Sequence, residues 1–205
     1  MAGERHGGDG SIAIAKQEVR RRLRRLRSDL DPERRHQEEA ANQTALTTVL
    51  RARPAWPLAA FRALPGEAGV EGLLRERWHA GGRVWLPRVS APGRLDWHPV
   101  SRPTECRIGS YGIEEPDPAQ VPSQELPIPV LLCVPGCAFD AAGRRLGMGA
   151  GFYDRLMDRI HAGGGLSIGI AYRCQVVEQV PCEEHDRRVH AVCAGGDWVR
   201  PMPRP

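Results

Sequence analysis

The chain has 205 residues, of which 41% are hydrophobic and 26% charged, with a net charge of +4; these are ordinary values for one globular domain able to bury a substantial core. No apolar run approaches the roughly 20 residues that a spanning helix needs, and the opening "MAGERHGGDG" lacks the basic-then-apolar order of a secretory signal, so a cytoplasmic location is the default expectation. The six cysteines (106, 133, 137, 174, 182 and 193) include no C-x-x-C pair and read as free, mostly buried thiols rather than a disulfide framework.

Residues 1–10 and 201–205, Gly-rich and Pro-rich, read as disordered tails around one domain spanning 11–200. From Ser11, Val19, Leu23, Leu26 and Leu30 recur at helical spacing and predict an amphipathic helix. Its stretch "KQEVRRRLRRLR" places seven basic residues between Lys16 and Arg27. Asp31-Pro32 stops that helix and starts a second, running to about Leu50, because proline is favoured at the first helical position.

The period then changes. "PLAAFRAL", "RVWLPRV" and "RLDWHPV" read as short strands, with "EGLLRERWHA" a helix between the first two. "IPVLLCV" is a continuous apolar run of the kind a strand buried on both faces shows. A helix from about Phe152 to His161 follows, then "LSIGIAY" and "RVHAVCA" as further strands. Strands alternating with helices predict an α/β fold: an open, mostly parallel sheet flanked by helices, a Rossmann-like three-layer sandwich.

The chemistry concentrates in "FDAAGRRLGMGAGFYDR", residues 139–155. It is neither a P-loop nor a dinucleotide fingerprint: no Lys-Ser/Thr follows, and Phe152 stands where G-x-G-x-x-G needs its last glycine. Its context still suits an anion. A buried strand precedes it, Arg144 and Arg145 offer forked cationic donors, and a helix N-terminus presents unpaired N–H groups at the carboxyl ends of strands. Asp154, in the first helical turn, can hold a Mg²⁺ that bridges phosphates; the plain alternative is a flexible loop followed by an acid that the helix dipole favours.

The longer run "VPGCAFDAAGRRLGMGAGFYDR" resembles the signature of the 5-formyltetrahydrofolate cyclo-ligase family. "KQEVR", "PGE" at 65–67, "YGIEEP" at 111–116 and "GIAYRCQVVEQVPCEEHD" at 169–186 extend the resemblance over about Lys16 to Val199. It implies ATP- and Mg²⁺-dependent conversion of 5-formyltetrahydrofolate to 5,10-methenyltetrahydrofolate, with ADP and phosphate released. The formyl oxygen is phosphorylated, N10 attacks that carbon, and phosphate leaves. Such a reaction needs positioning and charge neutralisation more than a covalent nucleophile.

By that resemblance Lys16, Arg20, Arg144, Arg145, Leu146, Gly147, Met148, Gly149, Ala150, Gly151, Phe152 and Tyr153 bind ATP. Arg62, Glu67 and residues Met148 to Phe152 bind the folate, Asp154 and Asp186 hold the metal, and Arg145 and Tyr153 act in catalysis. Read without the resemblance, Glu67 is a turn residue, Tyr153 a core aromatic and Asp186 a loop acid. Arg21, Arg22, Arg24, Arg25 and Arg27 are assigned to a solvated basic face.

The chain departs from the family's usual pattern at Ala68-Gly69-Val70, Met148, His190 and Cys193-Ala194, which leaves open a paralogue with weak or altered activity. Cys182, His185, His190 and Cys193 carry zinc-ligand chemistry at a spacing foreign to common fingers. An RNA-binding protein working through the arginine helix is the rival from another class. Its apolar stripe must face a core, and aromatics at 5% of the chain supply few stacking platforms. The expected partners are therefore ATP and a reduced folate, with no nucleic acid and no membrane, on a monomer or weak dimer.

Overall fold

The computed structural model describes residues 8–109, 112–149, 151–183 and 185–202. Two long helices come first, α1 (Gly8–Ser28) and α2 (Pro32–Arg51). Their boundary falls where Asp31-Pro32 places it. The Asp31 carboxylate accepts the backbone N–H groups of Glu33 at 2.9 Å and Arg34 at 3.2 Å, and Pro32 takes the first helical position, where its missing N–H costs nothing. Of the expected tails, residues 8–10 open α1, and Met202 packs against the core.

The remaining elements are β1 (Leu58–Ala59), α3 (Glu71–His79), β2 (Val84–Ala91), β3 (Arg94–Val100), β4 (Cys106–Ile108), β5 (Glu114–Pro116), β6 (Leu131–Val134), β7 (Ala138–Phe139), β8 (Arg145–Leu146), α4 (Phe152–Ala162), β9 (Leu166–Ala171), β10 (Ala191–Ala194) and β11 (Asp197–Arg200). Seven strands form one sheet in the order β11-β10-β9-β6-β1-β2-β3. Pairing is parallel from β10 to β2 and antiparallel at both edges. This is the open, mostly parallel α/β sheet that the sequence predicts.

Side chains alternate between the two faces, as a pleated strand requires. Leu58, Leu131, Cys133, Ile168, Ile170 and Cys193 pack towards α2 and α3. Ala59, Leu132, Val134 and Val192 pack towards Met157 and Ile160 of α4. The central strands are buried on both faces, which explains their unbroken apolar sequence. α1 belongs to neither layer. Leu23 packs with Cys137, Ala138, Leu146 and Val180, so α1 lies over the loops that leave the carboxyl ends of the strands.

The strand expected over 57–64 is shorter. After β1 only the Ala60 N–H still bonds to the sheet, at the Trp85 carbonyl, and the chain then bends into a turn closed by Glu67 N–H to the Leu64 carbonyl at 2.9 Å. The β4–β5 and β7–β8 hairpins and the edge strand β11 carry too few residues for a readable period. The β7–β8 hairpin lies flat on the sheet because Gly169 has no side chain: a Cβ there would sit 2.4 Å from the Phe139 ring.

The four residues with zinc-ligand chemistry do not converge. Cys193 is buried in β10 and its thiol donates to Asn42 Oδ1 at 3.3 Å. His190 sits beside Ser167 at the amino ends of β9 and β10, where its Nδ1 accepts the Ser167 N–H at 3.1 Å. Its ring lies 4.0 Å, centroid to centroid, from that of His161.

Burial, with His161 and Arg200 alongside, pushes the His190 pKa from its ordinary 6.5 down to about 4. The unfolded chain therefore takes up this proton first, so the associated stability is present above pH 6.5 and is lost as pH falls towards 4. Urea unfolding midpoints at pH 7.5 and 5 should fall further for the parent chain than for His190→Asn, whose amide oxygen keeps an acceptor for Ser167. An identical loss in both proteins would remove His190 as the cause.

Candidate functional site

The parallel register aligns β1, β6 and β9, so the loops leaving their carboxyl ends, after Ala59, Val134 and Ala171, gather at one end of the sheet and frame a candidate crevice. This is where open α/β sheets bind ligands. Across it, α1 turns one face inward through Lys16, Arg20, Leu23 and Arg27, spaced so that they share a helix face. Leu26, expected on the apolar stripe, is 41% exposed, while Arg27, assigned to solvent, is 7% exposed. The helix is therefore rotated from the predicted stripe, and its buried line runs Leu23–Arg27.

At one end, Lys16 Nζ donates to Glu183 Oε2 and Asp186 Oδ2, each at 2.6 Å. Burial opposes the ammonium charge, but these hydrogen bonds outweigh it and hold the Lys16 pKa above its usual value. Asp186 is itself partly desolvated, yet Lys16 and the Glu183 N–H (2.8 Å) keep its carboxyl below the ordinary range. Glu183, His185 and Asp186 present ligand atoms within 4.8 Å of one another.

In the middle, Arg20 Nε donates to the Gly147 carbonyl at 2.9 Å. Arg145 Nη2 reaches both carboxylate oxygens of Asp154, at 3.0 and 2.9 Å. Its guanidinium carbon lies 5.8 Å from the centre of the Tyr153 ring, and its buried Nε has no partner among the described residues. The Arg187 N–H donates to Asp154 Oδ1 at 3.2 Å, which ties the 183–187 turn to the first turn of α4. Gly149 and Gly151 have φ of +107° and +64°, a region that side chains avoid. Gly151 caps α4 without a side-chain hydrogen bond, so no side chain takes up the first N–H groups of the helix there.

At the far end, Glu67 is 9% exposed and its Oε2 accepts the Leu64 N–H at 3.1 Å. Burial pushes its pKa up, against that hydrogen bond and the charge of Arg27. Burial also raises the Tyr153 hydroxyl, with Arg145 lowering it and Glu67 raising it further, so that hydroxyl stays a proton donor. Tyr172 donates its hydroxyl proton to Glu39 Oε1 at 2.5 Å, and the same oxygen lies 3.2 Å from the Glu67 carbonyl.

The other expected site residues have separate placements. Arg144 Nε donates to Asp140 at 2.6 Å, an internal ion pair. Arg62 is held by Glu71 at 2.7 Å and by Glu114 of the "YGIEEP" segment. Leu146 is core, and Met148 is 47% exposed while accepting the Cys137 thiol at 3.2 Å. A Cβ on Gly147 would meet the Arg145 guanidinium at 2.5 Å. Phe152 lines a cavity of about 510 Å³ between α4 and the β2–β3 hairpin, with Trp97, Leu126 and Leu156. Ala150 lies outside the described residues.

Sequence reasoning missed Arg27, Glu183 and Asp140. Arg27 was findable from its spacing of four from Leu23, and Asp140 from the turn it closes on Ala142 and Arg144; Glu183 carries no local signal, because its partner Lys16 is distant.

A mostly parallel sheet whose strand ends are roofed by a cationic helix face and edged with carboxylates and glycines defines an α/β protein with a candidate site for an anionic ligand. The model of the 5-formyltetrahydrofolate cyclo-ligase family matches residues 13–195, and the chain belongs to that family, a family of ligases. It is 35% identical over 181 residues to the 5-formyltetrahydrofolate cyclo-ligase of Escherichia coli, covering 83% of this chain and 94% of that protein. The Haemophilus influenzae protein of the same name is 30% identical over 194 residues, covering 88% and 97%. The NMR structure of Aquifex aeolicus 5,10-methenyltetrahydrofolate synthetase superimposes with a TM-score of 0.73 at 27% identity, covering 93% of this chain and 95% of that one.

The approach to the glycine turn depends on Asp140. It has no exposed surface, and besides Arg144 its carboxylate accepts the N–H groups of Ala142 (2.9 Å), Arg144 (3.0 Å) and Val180 (2.9 Å). Asp140→Ala strands these donors and the buried arginine contact, so it should lower stability by about 3–5 kcal/mol, read as a shift in urea midpoint. A loss below about 1 kcal/mol would show that the turn holds without it.

Proposed function

We propose that the chain closes 5-formyltetrahydrofolate to 5,10-methenyltetrahydrofolate at the expense of ATP, with Mg²⁺ as the metal. The observation that carries this reading is the pairing of three cations at the glycine end with a carboxylate or carbonyl: Lys16 with Asp186 and Glu183, Arg145 with Asp154, Arg20 with Gly147. Those acids suit a hard cation, which takes carboxylate oxygens, and the released amines and guanidinia suit phosphates. Asp154 and Asp186 would hold Mg²⁺, with Glu183 within reach, and the ion would supply charge neutralisation between the phosphates.

Lys16, Arg20 and Arg145 then bind and align the phosphate chain against the formyl oxygen. Glycine at 147, 149 and 151 lets the backbone approach, and Arg145 neutralises charge on the transferring group. Glu67, kept poorly solvated, accepts hydrogen bonds from the pterin, and the protonated Tyr153 hydroxyl stands between the two ends to donate to the substrate. Once phosphorylated, the formyl oxygen leaves as phosphate when N10 attacks the carbon. Arg144 and Arg62 serve by holding the Asp140 turn and the Glu114 segment in place.

Most departures from the family pattern lie away from the proposed site: Ala68 and Val70 are core residues, Cys193 and Ala194 are buried in β10, and His190 lies at the amino ends of the strands. Met148, exposed in the glycine turn, is the departure that would bear on activity. The free thiols of all six cysteines suit a cytoplasmic setting.

The test is the appearance of near-UV absorbance from the methenyl product, with the formyl folate, Mg²⁺ and ATP each omitted in turn. The signal should require all three. Lys16→Ala should raise KM for ATP, and Glu67→Gln should raise KM for the folate, each by about 10-fold or more, the worth of a hydrogen bond to a charged group. Product without ATP, or unchanged constants in both variants, would overturn the assignment.

A further inference from the structure

We infer that Arg27 is a substrate-contacting residue, and that it donates to the 4-oxo oxygen of the pterin while Glu67 takes the neighbouring N–H groups. The inference rests on the proposed folate reaction and extends it to a residue outside the signature motifs.

Arg27 has a fixed position. It lies in the last turn of α1, whose final carbonyls are gripped by Arg35: its Nε donates to the Leu30 carbonyl at 3.0 Å and its Nη2 to the Ser28 carbonyl at 3.0 Å and to that of Arg27. The side chain points down among the loops at the carboxyl ends of β1, β6 and β9, close enough to act electrostatically on Glu67, Cys137 and Tyr172. A charged side chain 7% exposed is costly unless paired. Yet the Nε and Nη1 atoms of Arg27 are buried without a hydrogen-bond partner among the described residues, and it forms no ion pair among them.

Glu67 is its natural counter-ion, but the two carboxylate and guanidinium groups are not joined. Glu67 is held by the Leu64 N–H instead, so unpartnered donors and a desolvated acceptor stand near each other without meeting. A ligand edge that engages both must offer an acceptor to Arg27 and donors to Glu67 side by side. The pyrimidinone edge of a reduced pterin has that order: the 4-oxo oxygen, then N3–H, then the 2-amino group. Position along α1 agrees. Arg27 lies eleven residues beyond Lys16, about 16 Å at 1.5 Å per residue, which leaves room for the phosphates and the formyl group between the metal end and the heterocycle.

The experiment measures dissociation constants of 5-formyltetrahydrofolate, its 4-amino analogue and Mg-ATP for the parent chain, Arg27→Met and Arg27→Lys. Arg27→Met should weaken the 4-oxo folate by about 10- to 100-fold, as for a lost charged hydrogen bond, and leave Mg-ATP unchanged. The parent chain's preference for the 4-oxo over the 4-amino form should collapse by the same factor, with Arg27→Lys intermediate. Because the methionine removes unsatisfied buried donors, the melting temperature of the ligand-free variant should hold or rise. Equal folate affinity in parent and both variants overturns the inference. So does equal weakening of the oxo, amino and Mg-ATP ligands, which is the mark of a structural role. A parent chain that binds no folate overturns the reading on which the inference rests, and an Arg27→Met chain that does not fold leaves the decision to Arg27→Lys, whose oxo/amino preference must fall.

Discussion

The bond from Lys16 to Glu183 and Asp186 closes the crevice by joining segments 167 and 170 residues apart. α1 has no place in either helical layer of the sandwich, and its apolar contact is a small cluster around Leu23. Without Lys16, the amino half of α1 would be anchored mainly by Arg20 on the Gly147 carbonyl. The position of the whole cationic face, including Arg27 at its far end, therefore depends on two short hydrogen bonds at the near end and on Arg35 at the other.

This dependence joins stability to function. The groups that keep α1 seated are those assigned to the phosphates and the metal, so ligand binding replaces the seat rather than adding to an empty one. A buried pair broken by removing one partner is strongly destabilising, but in the proposed reading both partners would be exchanged together: a metal would take the acids as phosphates took the cations, and the charge on each side would stay compensated. The positive-φ glycines at 149 and 151 let the backbone there adopt a shape that other residues hold only with strain.

How much of this was legible depends on whether a signal is local. The Asp31-Pro32 boundary, the doubly buried run at β6 and the α4 start at Phe152 are written in neighbouring residues, and they appear where the pattern places them. Short strands and hairpins held by distant partners are not. Nor is the rotation of α1: Leu26 and Arg27 are adjacent, and hydrophobicity alone turns the leucine inward. Tertiary context reverses the two, because the apolar floor available to α1 is narrow and the space beyond it is lined by Glu67 and Tyr172. The site was legible to the extent that it lies in one contiguous motif. Arg144 shows the limit, since within the motif its neighbour Arg145 points into the crevice while Arg144 is bound to Asp140.

The two ends of the α1 face consequently play different energetic roles. In the proposed reading the cations at the phosphate end already have partners, so a ligand would gain the difference between two sets of charged contacts rather than the full worth of each. At the heterocycle end Arg27 has lost water and gained nothing, so a ligand that satisfies it recovers a penalty already built into the fold. Discrimination between substrates should therefore reside at Arg27 and Glu67, where a mismatched ligand leaves a buried charge unpaired. The glycine end, where the geometry rather than the net energy is demanding, should govern the alignment of the reacting atoms.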